Sequence, residues 1–361
     1  MYRGGSETDA GRAGVMDSPG YLAQDRIRVR DSNMELMRIV AMCLILIHHF
    51  LTHGSPLGGY RPPSAMFAWP FFLDGVNLFF LLSGWYLIRL SVKGFLRLFM
   101  TVFAFVQLNS LGCFLIDKPL TGQDLLFTFI APLSTQNWFI DVYFGLMLAS
   151  PIINKGLTAL TLNQLKAIVL IFTLFTIYSG NIGHNACNEN GYTFFQGIYM
   201  YTLGHWLRRD TCLSERVTKA HCLALCVCLT ALDGILSVAL RDSPVYIRNL
   251  TAYNNLFIVG ASVFLFLYFT KLRFHSKAVN RFAAYSLGCY LLQDGCFGDL
   301  FLYPASRHWT ATLPAWRYVS FFAALFISFW VASGIITNVL NRVIHFVNRS
   351  LPTRLAELKF K

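Results

Sequence analysis

Ten stretches of this chain are apolar over lengths that suit a lipid bilayer, and none of them alternates as a strand would. That single feature limits the fold more than any other. The stretches fall at 35–53, 66–88, 96–116, 137–153, 164–180, 193–207, 220–240, 252–270, 282–302 and 316–338. A helix crosses the hydrocarbon core with about 20 residues, so the expected architecture is all-α: a polytopic transmembrane helix bundle of about ten spans. The chain is 55% hydrophobic and only 13% charged, about half the charge of an ordinary soluble domain.

The net charge of +12 does not point to nucleic acid. The basic residues stand singly or in small groups at the ends of apolar runs, as membrane topology requires. With the N-terminus in the cytoplasm, every lysine and arginine except Arg61, Lys118, Arg241, Arg248, Arg307 and Arg317 falls on the inner side. The expectation is an even number of spans, both termini cytoplasmic, and a multi-pass protein of the cell (inner, cytoplasmic) membrane. Residues 1–32 are polar, mixed in charge and without a signal-peptide core. They read as a disordered cytoplasmic tail, with Met16 and Met34 as alternative starts. Residues 33–345 form the transmembrane domain and 346–361 a cytoplasmic C-terminal tail.

Of nine cysteines, seven (43, 113, 222, 226, 228, 289 and 296) lie in apolar runs, where a thiol behaves as a small hydrophobe. Cys187 and Cys212 fall in polar loops on opposite sides, so no disulfide framework is expected. His221, Cys222, Cys226 and Cys228 lack the spacing of a metal site and read as helix packing. No metal is expected.

Ionisable groups inside spans are costly and mark function. They are Arg38, His48, His49, Asp74, Asp141, His205, Asp233, Asp294 and Asp299, with Asn77 and Gln293 beside them. The first span is the most informative. Arg38 and His49 are eleven residues apart, about three full turns, so they share a face about 16 Å apart along the axis. His48 points about 80° away. Glu35 stands one turn before Arg38 and can pair with it. A neutral imidazole held in the membrane is a ready general base. An interfacial or structural role is the competing reading for both histidines.

Six segments, in order, resemble the acyltransferase type 3 family of integral-membrane O-acyltransferases. They are SNMELMRIVAMCLILIHHF with its Arg38-x10-His49 spacing, GVNLFFLLSGWYLI (75–88), KGFLRLF (93–99), WFIDVYFGLMLASPIIN (138–154), YTLGHWLRR (201–209) and SLGCYLLQD (286–294). The resemblance runs from about 31 to 340. It implies transfer of an acyl group, commonly acetyl from cytosolic acetyl-CoA as co-substrate, to a hydroxyl of a surface polysaccharide or its lipid-linked precursor. It implies that His49 is the essential histidine and Arg38 its basic partner. Two positions depart from the pattern. Gln293 stands where many members have histidine, and Lys93-x3-Arg97 replaces an Arg-x-x-Arg.

The expected site is therefore His49, Arg38 and Glu35 for chemistry, with Arg97, Lys93, Arg89 and Ser83 on the coenzyme side. Arg208 and Arg209 lie on the same side. His49 is either the base for the sugar hydroxyl or a transient acyl carrier. Ser83-Gly84 reads as close helix packing or as a hydrogen bond near the acyl path. Trp138 and Tyr143 read as interfacial anchors, while Asp141 calls for a partner. The expected partners are a carbohydrate or glycolipid acceptor and membrane lipids. A transporter or flippase for a glycan or small solute is the alternative, weakened by the absence of an internal inverted repeat. Nothing in the sequence fixes the oligomeric state.

Overall fold

A computed structural model describes residues 31–54, 62–115, 137–182, 186–243, 250–295 and 297–350. The tails beyond these bounds, Arg61, Lys118, Arg248 and Cys296 lie outside the described residues. Among the described residues the architecture is helical, and each of the ten apolar stretches is built from helix. Helices α1 (Ser32–His53), α2 (Pro63–Ala68), α3 (Asp74–Tyr86) and α4 (Val92–Leu115) come first. They are followed by α5 (Trp138–Ala159), α6 (Leu162–Ile177), α7 (Phe194–Arg209), α8 (Cys212–Arg216) and α9 (Lys219–Ala239). The chain ends with α10 (Leu256–Thr270), α11 (Lys277–Ala283), α12 (Ser286–Gln293), α13 (Tyr303–Thr312) and α14 (Ala315–Ser350). The last helix runs into what the sequence suggested was the C-terminal tail.

Six helical segments are long and apolar enough to cross a membrane: Ser32–His53, Pro63–Tyr86, Val92–Cys113, Leu162–Ile182, Lys219–Ala239 and Val319–Val347. The outer ones carry apolar side chains into the surroundings, among them Leu170, Leu174, Ile235, Ile327, Val331 and Ile335. Such a surface suits lipid as solvent.

Local signals explain the helix ends. Thr161 with Gln164, and Thr218 with His221, form capping boxes at the starts of α6 and α9, which satisfies N–H groups that a helix start leaves open. His221 is thus a cap. Cys222 and Cys226 are buried beside it and Cys228 is exposed, and no metal-binding cluster occurs among the described residues. Cys113 departs from the sequence reading, because it is disulfide-bonded.

The stretch read as one span over 282–302 is broken. Helix α12 stops at Gln293, Gly295 takes φ 116°, and a Cβ at Gly298 would come within 2.1 Å of the Gln293 carbonyl. Only glycine permits either feature. Asn109 of α4 satisfies the freed backbone. Its Nδ2 donates to the carbonyls of Leu291 and Asp294, each at 3.2 Å, and its Oδ1 accepts from Phe297 N at 2.6 Å. Irregular backbone in a membrane domain persists only where such partners exist.

The contacts also give relative directions. Tyr86 meets Asp31, Gly75 meets Ala41 and Trp69 meets His48, so α3 runs antiparallel to α1. Helices α3 and α7 run parallel: Asn77 meets Gln196, and Arg208 reaches Trp85. Between these contacts the two backbones touch. A Cβ at Gly84 would lie 1.8 Å from the Tyr201 carbonyl oxygen, and one at Gly204 would lie 2.2 Å from that of Leu81. Each glycine rests on the carbonyl three residues before the other, the close approach that small residues allow in membrane bundles.

Candidate functional site

The site begins at the N-terminal end of α1. Arg38 Nη1 donates to Glu35 Oε2 at 3.1 Å. The arginine keeps 39% of its side chain exposed, while its Nε is buried with no bond partner. Nearby, Tyr86 donates to Asp31 at 2.6 Å, and the Arg208 guanidinium lies 5.7 Å from the Tyr86 ring centre. Arg208 Nη1 also donates to the Trp85 carbonyl at 2.6 Å. The ends of α1, α3 and α7 thus form a mouth lined by two arginines and two acids.

Arg89, Lys93 and Arg97 belong to the same end of the bundle and are exposed. Among the described residues no ion pair ties them down, and none touches Arg38. The structure therefore gathers Glu35, Arg38 and Arg208 at the mouth and leaves the other three cations around it.

Tyr143 is not an anchor. From α5 it turns inward, with Ser83 and Arg38 as its polar neighbours. Ser83 Oγ donates to the Phe79 carbonyl at 2.8 Å, and Gly84 makes the backbone contact with α7. The close-packing reading therefore holds for Gly84, while the Ser83 hydroxyl is bonded to the backbone of its own helix. Trp138, at the start of α5, packs on Tyr192 and Tyr253, with ring centres 4.8 and 5.6 Å away. Asp141 lies in the first turn of α5 and is exposed, where an acid complements the helix dipole.

Above Tyr143 the packing is aromatic. Phe139 lies 6.2 Å from Tyr143 and 6.0 Å from Tyr290, and Tyr290 lies 6.0 Å from His49. The two histidines diverge as their helical phases require. His48 packs edge-on against Trp69 at 4.8 Å and faces Tyr253 at 6.1 Å. His49 faces α12, with Gln293, His53 and Asp299 as polar neighbours. The His49 Nδ1 and Gln293 Oε1 atoms are buried with no bond partner, while Gln293 Nε2 donates to the Leu46 carbonyl at 3.4 Å. The break after α12 is what delivers Gln293 to this position. His53 is exposed and meets the His49 ring edge-on at 6.1 Å.

Sequence reasoning missed a clasp near the mouth. Tyr201 Oη accepts from Ile88 N at 2.8 Å and donates to Asn154 Oδ1 at 2.7 Å. Asn154 Nδ2 donates to the Ile88 carbonyl at 2.7 Å. Two side chains thus hold both backbone groups of one residue, next to Leu87 at φ 57°. A non-glycine residue persists there only when its surroundings over-determine it.

A second buried polar group lies away from this line. Ser262 donates to Asp74 Oδ1 at 2.7 Å, and the neighbouring Asp233 is 0% exposed. Just beyond the end of α7, Asp210 Oδ2 meets Lys166 Nζ, near the start of α6, at 2.8 Å. That hydrogen bond holds the Asp210 carboxyl below the ordinary carboxylate range.

Arg38 and Arg208 thus stand at one end of this group and the buried His49 imidazole at the other, with Phe139, Tyr143 and Tyr290 packed between them. A family model described as an acyltransferase domain matches residues 31–337. No curated protein and no solved structure matches the chain.

Proposed function

The chain belongs to the acyltransferase type 3 family, and from that premise we propose that it moves an acetyl group from acetyl-CoA to a carbohydrate hydroxyl inside the membrane. One observation carries this reading: Arg38 and His49 occupy one face of α1, and His49 keeps a buried nitrogen with no bond partner. In the proposed reaction the His49 imidazole takes the hydroxyl proton as the oxygen attacks the thioester carbonyl. The carbon–sulfur bond then breaks, and the proton passes to the departing thiolate. Arg38 and Arg208 receive the coenzyme's phosphates at the mouth, with Arg97, Lys93 and Arg89 around it, since arginine suits phosphate recognition. Glu35 fixes Arg38. The acceptor is a surface polysaccharide or its lipid-linked precursor.

The proposed setting is the cytoplasmic membrane, crossed ten times with both termini inside. The charge distribution supports it. So do the helix directions: α3 and α7 are parallel, which requires an odd number of crossings among the three helices between them. The Cys113 disulfide at the far end of α4 supports it as well, because disulfides persist on the oxidising side.

The test follows labelled acetyl from acetyl-CoA into a membrane glycan pool, with purified wild type and His49→Ala. Transfer by the wild type alone is the expected result. Glycan translocation that survives His49→Ala, with no acetyl transfer by either protein, would establish a flippase instead.

A further inference from the structure

Three aromatic rings gather at the end of the bundle away from Arg38. Helix α5 begins there with Trp138, about 24 Å along the axis from Asn154 of the clasp. Trp138 meets Tyr192 edge-on at 4.8 Å and Tyr253 at 5.6 Å, and Tyr192 meets Tyr253 at 5.1 Å. The rings close a triangle. Tyr253 is buried, Trp138 is half-buried, and Tyr192 is 46% exposed. His48 links the triangle to the site, its ring 6.1 Å from Tyr253 and 5.9 Å from His49. The backbone under Tyr253 is fixed from several sides. Its carbonyl accepts from Asn77 Nδ2 at 2.9 Å and from Gln196 Nε2 at 3.3 Å, and its N–H donates to the Asn190 carbonyl at 3.1 Å. Gly191, at φ 80°, comes so close that a Cβ there would lie 2.8 Å from Asn254 N. Two neighbouring amide oxygens do not share this satisfaction. Asn137 Oδ1 and Asn254 Oδ1, each one residue from a ring of the triangle, are buried with no bond partner. Their residues are 3% and 0% exposed. A buried acceptor left open is costly, so the region calls for a ligand that brings donors and also suits an aromatic face.

We propose that Trp138, Tyr192 and Tyr253 form a platform for a sugar ring of the acceptor. This rests on the acetyl-transfer reading and specifies where its acceptor is held. A pyranose has both characters the region asks for. The C–H groups on one face suit the electron-rich face of an aromatic ring, and the hydroxyls at its edge are donors for amide oxygens. A lipid chain would cover the rings and leave those oxygens open. An interfacial belt would set Trp and Tyr singly against lipid, whereas these rings pack on one another over a fixed backbone. Because the His48 ring stands between Tyr253 and His49, the stacked sugar is not the ring whose hydroxyl His49 deprotonates. It is a neighbour in the same chain, and the acceptor is an oligosaccharide and not a lone monosaccharide.

The experiment uses the purified full-length protein in detergent, with oligosaccharides released from the membrane glycan pool as the probe. Thermal unfolding with and without the oligosaccharides reads binding. Labelled-acetyl transfer reads the KM for the oligosaccharides and, separately, for acetyl-CoA. The oligosaccharides raise the unfolding temperature of the wild type, and Tyr192→Ala loses most of that shift. Its KM for the oligosaccharides rises about two- to ten-fold, the worth of one aromatic contact, with no matching rise in the KM for acetyl-CoA. Tyr192→Phe, which keeps the ring, recovers most of the shift. Trp138→Ala shows the same split and serves in its place if Tyr192→Ala does not fold. Alanine variants that handle the oligosaccharides like wild type, or lose both substrates equally, overturn the platform. So does a wild type that the oligosaccharides do not stabilise. A wild type that they stabilise but that transfers no acetyl keeps the platform and removes the acetyl-transfer reading instead.

Discussion

Two polar regions close to each other in this bundle are built on opposite plans. In the clasp at Ile88, the hydrogen bonds of Tyr201 and Asn154 close on one another and on the backbone. On the line from Arg38 to His49, buried polar atoms stand without partners: Arg38 Nε, His49 Nδ1 and Gln293 Oε1. Leaving such groups unpaired costs about 1–3 kcal/mol each, a cost that a purely structural region has no reason to carry. The satisfied region fixes one backbone segment, and in the proposed reaction the unsatisfied atoms are the ones that meet substrates; the Asp233 carboxylate, off this line, is unpartnered as well.

Mutations can break that contrast, beginning with the scaffold. Gly84→Leu places side-chain atoms where a Cβ alone would be 1.8 Å from the Tyr201 carbonyl oxygen. The expected outcome is no monodisperse protein on size-exclusion chromatography. On the other side, His49→Ala removes the proposed base and lowers acetyl transfer by about 10²–10⁴-fold, with the protein still monodisperse on size-exclusion chromatography. His48→Ala, on the other helical face, gives a milder loss of transfer. If His49→Ala unfolds the protein, His49 is structural after all. Tyr201→Phe strands Ile88 N–H and Asn154 Oδ1 and lowers stability by about 1–3 kcal/mol, read by denaturant unfolding in detergent, with transfer per folded molecule retained. The smallest effect is outside the spans. The folded Asp210 carboxyl is held low by Lys166, so its stabilisation is present above the ordinary pKa of about 3.9 and lost as pH falls through the lower folded value. The difference in unfolding temperature between wild type and Asp210→Asn should therefore close in acid.

Much of this was legible in the sequence. Apolar length marked the helical stretches, and the eleven-residue interval placed Arg38 and His49 on one face. The Ser83-Gly84 pair announced a close helix approach. What stayed hidden depends on radial direction or on backbone conformation. Tyr143 read as an anchor because an aromatic near a span end usually is one, and only the rotation of α5 turns it towards Ser83. The break after Gln293 needs φ 116° at Gly295 and the fold-back at Gly298, neither of which apolar length reveals. Gln293 read as a departure from the family pattern, yet the break brings it against His49. The cysteine reading failed at Cys113 because a disulfide depends on which distant segments meet.

The double contact of Gly84 and Gly204 has a mechanical meaning. Two backbones that meet at two points cannot slide along one another by a turn without collision. Helices α3 and α7 therefore behave as the stator of the machine, carrying Ser83 on one member and the Tyr201 clasp on the other. Whatever moves as substrates come and go moves against this fixed pair. A disulfide engineered across the α3–α7 seam should therefore leave turnover unchanged.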